Sequence, residues 1–138
     1  MLLFGGDIRD GELMLPNFTR DELKCKGSGL LILAPGFGQA LQGLRDAYGK
    51  PMVVTSCCRS KSHNRNVGGH PRSLHICDFP PRDTGGTCAI DVVVSDREEL
   101  IQLAWERGWS VGIHSRFVHL DLRTEYANLR QLRFEYGR

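Results

Sequence analysis

The run Cys88-Ala89-Ile90-Asp91-Val92-Val93-Val94 constrains this chain more than any other segment. Consecutive β-branched residues are stiff at the first side-chain torsion and pack well on a pleated surface, so the run predicts a buried strand over 89–94. Asp91 stands inside that run. A carboxylate in or beside an apolar strand must be paired, because an isolated buried charge is prohibitively costly. Two partners satisfy it equally: one of the many arginines in a buried ion pair, or a bound cation.

The remaining pattern predicts one domain of α+β class spanning residues 1–138, a small and mainly antiparallel sheet with helices packed on one side. That length is enough for a core that needs no disulfides. Residues 17–24 form a short helix capped by Asn17 or Thr19, with Phe18 and Leu23 inward. Leu30–Leu33 is a short apolar run broken by Ala34-Pro35-Gly36. Phe37, Ala40, Leu41, Leu44, Ala47 and Tyr48 then repeat at helical spacing up to Gly49. Pro51–Ser56 reads as a strand, and the polar, basic stretch 57–75 as surface loop or short helix. Ser95-Asp96-Arg97-Glu98 is a capping box for a helix whose apolar face is Leu100, Ile101, Leu103, Ala104 and Trp105, stopped by Gly108. Trp109–Ile113 and Phe117–Leu122 are strands joined by the turn His114-Ser115-Arg116. In the tail from Arg123, the apolar Leu129, Leu132, Phe134 and Tyr136 form a last strand or wrap the core.

Composition excludes several classes. The start Met1-Leu2-Leu3-Phe4-Gly5-Gly6-Asp7 has neither the basic leader nor the apolar core of a signal peptide, and no apolar run is long enough to span a bilayer. Net charge is only +2, so nucleic-acid binding would rest on the acid-free stretch 59–72, where no aromatic platform accompanies Arg59, Lys61, Arg65 and Arg72. That stretch suits an anionic partner or an ordinary solvated face, and His63 and His70 within it read as surface residues. Cys25, Cys57, Cys58, Cys77 and Cys88 are odd in number and lack paired C-x-x-C spacing, which argues against a structural zinc ribbon. Buried or free thiols are the expectation, with a Cys77–Cys88 bridge as the minority alternative.

Val118-His119-Leu120-Asp121 alternates so that His119 and Asp121 share one strand face while Val118 and Leu120 face the core. His75 follows Ser73-Leu74 in a polar loop. Each histidine alone is unremarkable. Together, His75, Asp91 and His119 make a catalytic-type zinc set, since three protein ligands leave a fourth position for water.

Five phrases then fall in a familiar order: Thr55-Ser56-Cys57-Cys58-Arg59-Ser60, His63-Asn64-Arg65-Asn66-Val67-Gly68-Gly69, Ser73-Leu74-His75, Ala89-Ile90-Asp91-Val92 and Phe117-Val118-His119-Leu120-Asp121. They resemble the zinc D-Ala-D-Ala carboxypeptidase family, in particular its peptidoglycan-cleaving branch, which includes phage endolysins. The similarity runs from Asn17 through Arg123 and leaves residues 1–16 as an N-terminal extension. It implies one Zn2+ ion on His75, Asp91 and His119 at the sheet edge. Arg59 would reach the substrate carbonyl or carboxylate, and Ser73 would support the His75 loop beside the substrate. The implied activity is metal-assisted hydrolysis of peptide bonds in peptidoglycan stems or cross-links by a monomer. A phage lysis enzyme of this kind would wait in the host cytoplasm and act on the cell wall, with no nucleic-acid or membrane partner.

The chain departs from the family pattern twice. Relatives pass within a few residues from the first histidine to the aspartate, whereas here residues 76–90 intervene, with 76–88 an inserted loop carrying Cys77, Pro80-Pro81 and Asp83. Many relatives place a glutamate general base three residues before the last histidine, where this chain has Arg116. Asp121 is the first candidate for that base. The same residue serves equally well to orient His119 or pair with Arg123, and His114 is the second candidate, as base or transition-state donor. The missing acid also motivates a different class: a zinc-stabilised cell-wall-binding or phage structural module without catalysis.

Overall fold

The computed structural model describes residues 15–78 and 85–137. Most of the N-terminal extension, and the part of the inserted loop that holds Pro80-Pro81 and Asp83, lie outside the described residues. Helices α1 (Arg20–Leu23) and α2 (Phe37–Tyr48) precede strand β1 (Val53–Ser56) and helix α3 (Lys61–Asn66). Strand β2 (Ala89–Val93), helix α4 (Arg97–Glu106) and strands β3 (Ser110–Ile113) and β4 (Val118–Asp121) follow. Helix α5 (Arg123–Tyr126) and strand β5 (Arg133–Glu135) complete the order.

The fold is α+β, with a five-stranded sheet in the order β1-β2-β4-β3-β5. Every pairing is antiparallel except β5 on β3. Alternation sorts the two faces. Ile90 and Val92 of β2, Val111 of β3 and Val118 and Leu120 of β4 are all inaccessible, and they meet Phe37, Leu41 and Leu44 of α2 and Leu100 and Ala104 of α4 in one core. Fully burying each such side chain stabilises the fold by about 1.5–3 kcal/mol. The Phe37 and Trp109 rings sit 5.6 Å apart and tie α2 to the start of β3. Gly49 ends α2 in the left-handed region at φ 72°, with its N–H on the Arg45 carbonyl, as the periodicity requires.

The opposite face carries Asp91 and His119, which are direct partners across β2 and β4. A β-bulge in β1 extends this row: Val54 pairs with Val92, but Ser56 rather than Thr55 pairs with Asp91. The extra residue reverses the alternation, so Ser56 faces the Asp91 side instead of the core. Among the described residues no helix is long and apolar enough to cross a membrane.

Some expectations need correction. The site was expected at the sheet edge, yet two of its residues come from β2 and β4, which β1 and β3 flank on either side. Trp105 is 41% exposed, because the buried stripe of α4 is Leu100, Ile101 and Ala104, and Trp105 lies one position past it. The cap of α4 is Asp96, which accepts the Glu99 N–H, one residue later than the expected box. At α1 the cap is Thr19 rather than Asn17, and it forms a capping box with Glu22. All five cysteines are buried free thiols, the leading expectation, so the alternative bridge between Cys77 and Cys88 is not formed. The ambiguous tail divides into α5 and the short parallel strand β5.

Candidate active site

His75 reaches the sheet from the loop after α3. The main chain just after it, on both sides of Ile76, is stitched to Arg59, with Arg59 N–H on the His75 carbonyl at 2.9 Å and Cys77 N–H on the Arg59 carbonyl at 2.9 Å. The Ser73 hydroxyl accepts the His75 N–H at 3.2 Å. His75 Nδ1 lies 2.7 Å from the Cys57 carbonyl oxygen, and a carbonyl can only accept. Nδ1 therefore carries the proton, and the Nε2 lone pair faces Asp91 Oδ1 at 3.2 Å.

The same Asp91 oxygen lies 2.9 Å from His119 Nδ1. His119 Nε2 is 2.7 Å from Asp121 Oδ2. Asp121 is wholly buried and spends both oxygens on protein: Arg123 donates its backbone N–H (3.0 Å) and Nε (2.9 Å) to Oδ1 and its Nη2 (2.7 Å) to Oδ2. Arg59 closes the other side, with Nε on the Ser56 hydroxyl at 3.1 Å, Nη1 on Asn64 Oδ1 at 3.2 Å and Nη2 3.7 Å from Asp91 Oδ2.

His75 Nε2, Asp91 and His119 Nδ1 thus converge, with one potential ligand atom from each residue within 4.8 Å of the others, and all three residues are buried. Two aimed imidazole nitrogens against one carboxylate oxygen need positive charge between them, either protons or a metal ion. The ionisation equilibria express that need. Burial opposes charge on His119, but hydrogen bonds to Asp121 and Asp91 outweigh it and lift the imidazole to about 9. Burial dominates at His75 and keeps it below its usual value. Burial would raise Asp91, yet the two histidines hold it well below the usual carboxylate range. Asp121 is likewise brought down to about 2, against burial, by His119 and Arg123.

Two cavities open onto this cluster. The larger, about 600 Å³, includes Asp121, Arg123, Leu129 and Phe134 in its wall. The smaller, about 410 Å³, includes Arg59, Gly69, His75, Asp91 and Phe117. His70, Ser73, His119 and Tyr136 line both. Of the residues singled out from sequence, His75, Asp91, His119, Arg59, Ser73 and Asp121 come together here. His114 does not line either cavity; its ring stacks on Phe117 at 4.3 Å, and its Nδ1 accepts the Arg116 N–H.

Sequence reasoning passed over three contributors. His70, read as a surface residue, is exposed but lines both cavities. Asn64 is 2% exposed and joins Arg59 to the His70 carbonyl, and a side chain on Gly69 would meet its Oδ1 at 2.2 Å. Phe134 crosses the sheet because β3 has Gly112 beneath it, where a Cβ would lie 2.5 Å from the ring. The alternation of Phe134 and Tyr136 was the one available signal for the last of these.

A buried His-Asp-His cluster with an open cleft beside it is the arrangement of a mononuclear metallohydrolase. The family model for peptidase M15 matches residues 16–121, and the chain belongs to that family of zinc-dependent metallopeptidases. No curated protein sequence matches the chain significantly.

Proposed function

We propose that this protein is a zinc peptidase that hydrolyses peptide bonds in the stems or cross-links of bacterial peptidoglycan, in the role of a phage lysis enzyme. The observation that carries the reading is the convergence of His75 Nε2, Asp91 Oδ1 and His119 Nδ1, with each imidazole oriented by a neighbour and all three within reach of one ion. Two neutral imidazoles and a carboxylate fit zinc by ligand type and number, and leave a coordination position open. When bound, the ion would polarise the scissile carbonyl and bring the pKa of a water to roughly 7.

The chain's own residues supply the rest. The Cys57 carbonyl and Asp121 fix the two imidazoles so that the correct nitrogen of each faces Asp91. Arg59, held flat by Ser56 and Asn64, presents its positive charge at the smaller cavity, where it stabilises a developing oxyanion. Asp121 is the candidate proton acceptor nearest His119, but its bonds to His119 and Arg123 favour the orienting role. His114, packed behind Phe117, is the weaker candidate.

Purified sacculi incubated with the protein, with and without a chelator, test the reading. Metal-dependent release of peptide fragments is expected. Arg116 at the position of the usual acid and the fully committed Asp121 carboxylate favour one alternative, a zinc-stabilised wall-binding or phage structural module. Chelator-sensitive binding to sacculi without fragment release would establish that alternative.

A further inference from the structure

Resting on the peptidase reading above, we infer that the Tyr136 hydroxyl is a catalytic hydrogen-bond donor, sharing with Arg59 the oxygen of the carbonyl under attack. The match to the family ends at residue 121, so strand β5 and this tyrosine lie beyond it. Sheet register brings the residue back to the cluster. Asp91, His119, Gly112 and Phe134 are successive direct partners from β2 to β5, and partners across a sheet share a face. Gly112 leaves a gap in that row. A Cβ there would lie 2.5 Å from the Phe134 ring and 3.1 Å from the Tyr136 ring, so both rings lie over the strand on the face of the cluster. Tyr136 follows Phe134 by two residues, with its N–H on the Ile113 carbonyl at 3.0 Å.

The ring is held while its hydroxyl is left unengaged. His114, Phe117 and Phe134 surround it at centroid separations of 5.2, 5.5 and 5.6 Å. Tyrosine hydroxyls ordinarily find a partner on burial, and the other two tyrosines do. Tyr48 Oη accepts the Asp96 N–H at 3.0 Å, and Tyr126 Oη donates to the Pro35 carbonyl. Tyr136 is 37% exposed, and its hydroxyl has no hydrogen bond to a described residue. It lines both cavities, and in the smaller one it shares the wall with Arg59, His75, Asp91 and His119. A phenol keeps its proton at neutral pH. A fixed donor with no resting partner suits charge that develops during a reaction. Addition of a water hydroxyl to the carbonyl carbon drives the C=O electron pair onto oxygen, and Tyr136 donates a hydrogen bond to that oxygen. The pair then returns, the C–N bond breaks, and the departing nitrogen takes up the proton that the water gave. Tyr136 keeps its own proton throughout.

The test uses the full chain loaded with zinc, a synthetic peptidoglycan stem peptide, and its phosphinate analogue, whose tetrahedral centre carries the negative oxygen permanently. Y136F deletes one oxygen and keeps the ring. Its kcat is expected to fall about a hundredfold with KM changed less than about threefold. Calorimetry should show the phosphinate Kd raised by a similar factor, while zinc content stays at one ion per chain. A tyrosine that merely packs, or that binds the substrate before reaction, predicts otherwise. A fall in kcat of less than about tenfold, a loss confined to KM, or an unchanged phosphinate Kd would overturn the inference. A wild-type protein that cleaves no peptide bond would instead sink the peptidase reading itself.

Discussion

The two faces of the sheet solve the same problem, burial, by opposite means. On the helix side, Ile90, Val92, Val118 and Leu120 are apolar and satisfy one another with α2 and α4. On the other side, one residue along in each strand, Asp91, His119 and Asp121 are also buried but polar, and each needs a specific partner. The apolar face tolerates shape changes at a graded cost. The polar face is all or none, because removing one member leaves a buried charge or donor unmatched.

The sharpest break of this contrast is Asp91→Ala. It removes the carboxylate that both histidines address, so zinc content measured on the purified protein is expected to fall to background. Peptide hydrolysis should drop at least roughly a thousandfold, as several kcal/mol of charge stabilisation are lost. Zinc retained at one ion per chain would show that the cluster is not the metal centre. Leu44→Ala probes the other face. It should cost about 2–5 kcal/mol in denaturant unfolding, while the fraction that remains folded still binds one zinc.

Asp121→Asn comes next and also separates the two roles open to this carboxylate. An orienting Asp121 predicts zinc affinity lowered about 10–100-fold in a competition titration. Unchanged affinity with turnover abolished would make it the proton acceptor instead. The smallest effect is expected at Trp105→Gln on the exposed side of α4, within about 0.5 kcal/mol by thermal melting.

Periodicity explains how much of this was visible in the chain. The helical repeat from Phe37 to Tyr48, the β-branched run around Asp91 and the alternation around His119 are local patterns, and each became the element it suggests. What escaped depends on residues far apart. Val111 pairs with Arg133 across the parallel junction of β3 and β5; the alternation of Phe134 and Tyr136 hints at a strand, but no local pattern announces its partner or that it lies over the cleft. Asn64 sits in the polar run Lys61-Ser62-His63-Asn64-Arg65-Asn66 and is buried only because Arg59 and the His70 carbonyl both claim it. Hydrophobicity alone places Trp105 in the core, whereas the buried stripe of α4 is Leu100, Ile101 and Ala104.

The two histidines that face Asp91 are held by different kinds of neighbour. His75 takes its orientation from the carbonyl of residue 57, a group that every amino acid at that position supplies. His119 takes its orientation from the Asp121 side chain, which a single codon change deletes. The centre therefore has unequal mutational robustness. Sequence drift at position 57 leaves the first imidazole aligned provided the replacement packs, whereas at position 121 the orienting group is lost with the side chain.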